Sequence, residues 1–207
     1  MHAVVVSNGF PPPKNLLEEE IKSAELLLGA DGGCTTILNH GFTPDAVIGD
    51  LDSFDPPESP SFKVIHKPDQ ETNDLEKALT YALEQGVKTC SVLGAFGHRM
   101  DHSLKNMSVL NKFHHSFDEL IFRDEVFDAV IIEDTFSARL PVGSIVSLFP
   151  VSGEVMGIQT EGLMYALNNE SLKNGVRDGT SNETISDEFS VKVDIGTLVI
   201  FYERGSA

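Results

Sequence analysis

The sequence predicts an α/β N-terminal domain, a mostly parallel sheet with helices on both faces, followed by an all-β C-terminal sandwich. Three observations carry this expectation. Up to about Arg123, β-branched apolar runs alternate with helical patterns, which is the rhythm of a parallel sheet. After Asp124 only short β-type runs remain, punctuated by Pro141-Val142-Gly143, Ser152-Gly153, Gly162 and Gly196. The boundary between residues 1–124 and 125–207 is a change of period, with no Pro/Ser-rich linker to mark it.

The elements follow in order. Ala3 to Ser7 is a continuous apolar run of the kind buried in a parallel strand. Leu16 to Leu28 carries apolar residues on one side and Glu18, Glu19, Glu20 and Glu25 on the other, and is read as helical. Thr35 to His40 reads as a short helix stopped by Gly41, and Ala46 to Ile48 as a strand entering Gly49-Asp50. Phe62 to His66 is another strand. The spacing of Leu75, Ala78, Leu79, Ala82 and Leu83 predicts a helix over 74–85, with Asn73 and Glu76 forming a capping box and Gly86 ending it. Strands over 89–95 and 119–123 flank a helix over 101–114. In the second half, strands are expected at 127–133, 144–149, 155–160, 189–193 and 197–202.

Composition narrows the function. Fifteen basic residues against 32 acidic ones leave a net charge of −17, spread over both halves, so nucleic acid and anionic membrane are excluded as first expectations. No apolar run approaches a membrane span, the N-terminus lacks the features of a secretory signal, and Cys34 and Cys90 offer neither a disulfide framework nor a zinc motif. A cytoplasmic protein is expected.

The acids of the first half fall just beyond strands: Asp31 after an apolar run and before Gly32-Gly33, Asp50 and Asp52 after the strand at 46–48, and Asp74 at a helix start. Open α/β sheets bind ligands beyond the carboxyl ends of their strands. Two unit charges ~4 Å apart cost about 4 kcal/mol at an effective dielectric near 20, so such a group either holds protons or gathers a divalent cation. An all-oxygen donor set favours magnesium or calcium over zinc. Asp50 and Asp52, at i and i+2, share a side if the segment is extended. A second constellation, Gly94 to His102, joins a strand to a helix; its backbone N–H groups and Arg99 suit phosphate, and Asp101 suits a proton or a metal. Together these parts describe phosphoryl chemistry on a nucleotide, without a Walker loop or protein-kinase motifs.

At this point the chain resembles the thiamine pyrophosphokinase family. The resemblance rests on Ala30-Asp31-Gly32-Gly33, on Pro44-Asp45 with Ile48-Gly49-Asp50-Leu51-Asp52-Ser53, and on Asn73 to Leu79. It continues through Gly94 to His102 with Asn106, Gly162 to Leu167, and Gly179-Thr180-Ser181-Asn182-Glu183. The resemblance implies an enzyme that transfers the pyrophosphate of ATP to the hydroxyl of thiamine, leaving AMP. It assigns Asp31, Asp50, Asp52 and Asp74 to Mg2+ and the polyphosphate, and Arg99 to phosphate. Asp101 would orient or deprotonate the thiamine hydroxyl, and Gly32, Gly33 and Asn106 would contact the nucleotide. Tyr165, at a position often Trp in the family, would stack on thiamine, with Ser181 and Asn182 hydrogen-bonding its aminopyrimidine. It further implies a homodimer with thiamine bound between subunits. Gln70-Glu71 stands where Lys-Asp is more usual and Asn73 where Thr is common, departures that bear on nucleotide preference.

Overall fold

A computed structural model describes residues 1–204 in two compact units, Met1–Glu125 and a second from Val126 onward. Among the described residues, no helix is long and apolar enough to cross a membrane.

The first unit is built on six parallel strands: β1 (His2–Val6), β2 (Leu26–Ala30), β3 (Ala46–Gly49), β4 (Lys63–His66), β5 (Thr89–Leu93) and β6 (Glu119–Arg123). Their spatial order is β4-β3-β2-β1-β5-β6. The order reverses at β1, which pairs with β2 on one side and β5 on the other, and this reversal opens a crevice at the strand ends. Ala3 to Val6 are fully buried, because a central strand covered on both faces has no polar side. Val4 and Val6 pack with Leu16 and Leu17 of α1 (Lys14–Ile21) and Ile37 of α2 (Gly33–Asn39). α3 (Asp74–Glu84) lies against β2 and β3, and α4 (Met100–Phe113) contacts α3 and β6.

The expected helix over Leu16 to Leu28 is corrected. Helix α1 stops at Ile21, and Leu26–Ala30 is strand β2. An apolar run of this length suits a buried strand as well as a helix, and hydrogen bonding between β1 and β3 decides the matter. α3 forms as its spacing predicts. Asn73 Oδ1 accepts from the Glu76 N–H at 3.0 Å and Glu76 Oε2 from the Asn73 N–H at 3.2 Å, while Leu75, Ala78, Leu79 and Ala82 are buried.

The second unit is all antiparallel. One sheet has the order β7 (Phe127–Ile132), β14 (Leu198–Glu203), β9 (Ile145–Pro150), β12 (Gly179–Glu183). The other runs β11 (Asn168–Lys173), β10 (Glu154–Glu161), β13 (Glu188–Lys192), β8 (Thr135–Arg139). Rings of Phe136 on β8, Phe189 on β13 and Tyr202 on β14 meet across the two sheets, with centroids 5.4–6.5 Å apart. β8, β11 and β12 are absent from the sequence expectation. Each is a polar strand at a sheet margin with one partner within the unit, so it lacks the apolar alternation that marks the inner strands.

Candidate active site

The crevice at the order reversal is a cavity of about 660 Å3. Its walls come from the turn after β1 (Ser7, Asn8, Gly9), from Asp31 after β2, from Asp50, Asp52 and Ser53 after β3, from residues 70–75 entering α3, and from the β5–α4 loop. Carboxylate oxygens of Asp31, Asp50 and Asp74 lie within 4.8 Å of one another. The acids that follow separate strands therefore do converge.

Backbone conformation places them. Asp31 and Leu51 both adopt positive φ, +43° and +63°. A left-handed leucine is an uncommon and costly choice, and here it bends the chain between Asp50 and Asp52. The segment is thus not extended at Leu51, and Asp52 stays outside the group of three, though it lines the same cavity and its Oδ1 accepts from Ser53 Oγ at 2.8 Å. Gly49 lets the cluster close up: a Cβ there would sit 2.7 Å from Asp31 Cβ and 3.1 Å from Asp74 Oδ1.

Asp31 is 2% exposed. Its Oδ2 accepts from the Ser53 N–H at 3.0 Å, while its buried Oδ1 has no hydrogen-bond partner. Burial, with the charges of Asp74, Asp52 and Asp50 adding to it and the Ser53 hydrogen bond opposing, pushes its pKa up to about 6. A hydrogen bond from Gln70 Nε2 at 2.9 Å holds the Asp50 carboxyl below the usual range. Buried Lys77 donates to Asp74 Oδ1 at 3.1 Å. An orphaned buried carboxylate oxygen, two further carboxylates in reach and no nitrogen or sulfur donor in the group fit a hard divalent cation.

The Gly94 to His102 loop places Arg99 on the cavity wall, but Arg99 is occupied. Its Nε donates to Asp101 Oδ1 at 3.1 Å, its second nitrogen to Oδ2, and both side chains are about two-thirds exposed. The guanidinium holds the Asp101 carboxyl down at about 2. Asn106 lines the cavity with its amide already engaged: Oδ1 accepts from Asn73 Nδ2 at 2.8 Å and Nδ2 donates to the Ala95 carbonyl at 2.6 Å. Gly32 and Gly33 are not among the residues that line the crevice. A Cβ on Gly32 would strike the Asn8 side chain at 2.4 Å and one on Gly33 the Val6 carbonyl at 2.0 Å, so close packing on the end of β1 is what requires them.

In the second unit Tyr165, Ser181 and Asn182 come together. Asn182 is buried; its Oδ1 accepts from the Tyr165 N–H and its Nδ2 donates to the Tyr165 carbonyl, each at 2.9 Å. This brace leaves the Tyr165 ring exposed. Ser181 has φ +58° and is exposed. The sequence reading does not single out Ser7-Asn8-Gly9 or Lys77 as site residues, and it marks Gln70 only as a departure from the family pattern. The first follows from strand order alone, since residues after β1 must face the reversal. Lys77 sits one helical turn after Asp74, at i+3, whereas the contact of Gln70 with Asp50 spans 20 residues and is visible only in the fold.

Fold and site define a class: an α/β domain whose switch-point crevice holds carboxylates suited to a divalent cation, followed by an antiparallel β unit. Residues 17–122 match the family model described as the thiamin pyrophosphokinase catalytic domain, and residues 134–199 match that of its vitamin B1 binding domain. The chain belongs to the thiamin pyrophosphokinase family. It is 28% identical over 201 residues to thiamin pyrophosphokinase 1 of Caenorhabditis elegans, covering 89% of this chain and 82% of that protein. It is 26% identical to the Bacillus subtilis thiamine pyrophosphokinase, covering 91% and 93%. The crystal structure of the Geobacillus thermodenitrificans thiamin pyrophosphokinase superposes with a TM-score of 0.84 at 25% identity, over 100% of this chain and 99% of that one.

Proposed function

We propose that this chain is a magnesium-dependent thiamine pyrophosphokinase, transferring the pyrophosphate of ATP to the hydroxyl of thiamine to give thiamine diphosphate and AMP. The observation that carries the reading is the meeting of Asp31, Asp50 and Asp74 at the switch point, with one buried oxygen lacking any partner, in a chain whose two halves match the two domains of the family. In this reading residues 1–124 bind nucleotide and metal, and residues 125–207 bind thiamine.

Asp31, Asp50, Asp52 and Asp74 would hold Mg2+. When bound, the ion would draw negative charge from the polyphosphate. Lys77 fixes the direction of the Asp74 carboxylate, and Gln70 that of Asp50. Arg99 neutralises phosphate, and to do so it must leave Asp101. That exchange releases the Asp101 carboxylate to orient the thiamine hydroxyl for in-line attack on the β-phosphorus. While paired, a carboxyl held near 2 is too weak a base to take the proton. Backbone N–H groups at the start of α4 would suit the phosphates, and Asn106, by tying α3 to the end of β5, keeps the crevice walls at fixed separation. Gly32 and Gly33 serve the site indirectly, by letting the turn that carries Asp31 pack closely on Val6 and Asn8. On the other substrate, Tyr165 offers an aromatic face to a flat cation, Ser181 a hydroxyl for the aminopyrimidine, and Asn182 the brace beneath them. Positioning supplies most of the rate.

Purified protein supplied with thiamine, ATP and Mg2+ is expected to release AMP in step with thiamine diphosphate, and chelation is expected to stop it. No AMP under conditions where an authentic enzyme of the family turns over would overturn the reading. The chain is further proposed to act as a cytoplasmic homodimer, with a solution mass twice the 22.6 kDa of one chain.

A further inference from the structure

Glu76 has no part in the chemistry above, yet it joins α3 to α4. Its side chain is 3% exposed. Oε2 takes the Lys105 ammonium at 2.8 Å and the Asn73 N–H at 3.2 Å, and Oε1 takes the Lys112 ammonium at 2.9 Å. A capping box needs only the Asn73 contact, so two lysines on a buried carboxylate are more than the helix start requires. They lie seven residues apart on α4, on one side of the helix. Lys105 also lines the crevice, half-exposed, where the unpartnered Asp31 Oδ1 and the carboxylates beside it would attract it.

We propose that Glu76 is a positioning residue for pyrophosphoryl transfer: it holds the first turn of α3, and with it Asp74, against α4, and it tethers Lys105 on the phosphate side of the crevice, away from the metal-binding aspartates. This rests on the reading of the crevice as a magnesium–nucleotide site. Lys77 already neutralises one oxygen of Asp74. A second ammonium among Asp31, Asp50 and Asp74 would displace the cation they gather. Tethered to Glu76, the same ammonium instead faces incoming phosphate.

The test is Glu76→Gln, which keeps the side chain's size and its acceptor for the Asn73 N–H while releasing both lysines. Support of this kind around a metal site is typically worth 10–100-fold, so Glu76→Gln is expected to lower kcat about ten-fold, leave the thiamine KM unchanged, and weaken Mn2+ binding to the nucleotide-free protein about ten-fold by electron paramagnetic resonance. Adding Lys105→Met to Glu76→Gln is expected to restore Mn2+ binding, because the competing ammonium is gone. A merely structural glutamate would leave the double variant as weak as the single one. That result, or a folded Glu76→Gln with wild-type kcat and Mn2+ affinity, overturns the proposal. Should Glu76→Gln fail to fold, Lys105→Met alone keeps the cap intact. It is expected to raise the ATP KM with Mn2+ binding unchanged, and an unaltered ATP KM overturns the proposal. Wild-type protein that binds Mn2+ but forms no AMP refutes the proposed reaction, whereas the Mn2+ measurements still decide the role of Glu76.

Discussion

Asp31 carries the sharpest conflict between stability and use. It is buried, surrounded by like charges and left with an unpartnered oxygen. Its folded pKa, about 6, lies above the unfolded value near 4, so the metal-free native state binds the extra proton, and stability falls as pH rises through that window. Asp31→Asn is therefore expected to raise the melting temperature of metal-free protein above pH 6 and to leave it nearly unchanged below pH 4. A variant destabilised at neutral pH would contradict this. The neighbouring acids behave differently. Asp52 is exposed, so Asp52→Asn is expected to abolish turnover without moving the melting temperature. Asp74→Asn is expected to abolish turnover and also to lower stability by about 1–3 kcal/mol in chemical denaturation, because it weakens the partner of buried Lys77. The residues quoted from the motifs were legible as acids beyond strands. That Asp52 stands apart from the other three was not, because a leucine at positive φ leaves no mark in composition or spacing.

At the scale of elements, legibility followed burial. Strand β1 and helix α3 could be read directly, since one is apolar throughout and the other has a full apolar stripe with a reciprocal cap. Leu26–Ala30 misled because a doubly buried strand carries no period, and the three polar margin strands were silent because they bury little. The short turn from β3 into Asp50 makes its own prediction. Gly49→Ala puts a methyl 2.7 Å from Asp31 Cβ and pushes against Asp74, so it is expected to leave a folded protein with Mn2+ affinity reduced about ten-fold or more. Unchanged Mn2+ binding in that variant would show that the carboxylates need no such close approach. Tyr165→Ala acts in a different element and is expected to raise the thiamine KM while the ATP KM holds. An unchanged thiamine KM would make the exposed ring a bystander.

On the scale of the whole molecule, charge is the governing fact. A chain of net −17 repels a nucleotide polyphosphate, and the cations it places at the crevice, Arg99, Lys77 and Lys105, are each paired to a carboxylate in the structure. In the proposed reading, metal held by the aspartates and Arg99 exchanged from Asp101 would reconcile that charge with a polyphosphate substrate. The most direct measurement follows radiolabel from ATP into thiamine with Mg2+ present. With ATP labelled in turn at the α-, β- and γ-phosphorus, β and γ labels should pass together into thiamine diphosphate and the α label should remain in AMP, all of it lost in Asp52→Asn. Transfer of the γ label alone, or its steady release as inorganic phosphate without an acceptor, would contradict a carboxylate-held metal directing attack at the β-phosphorus.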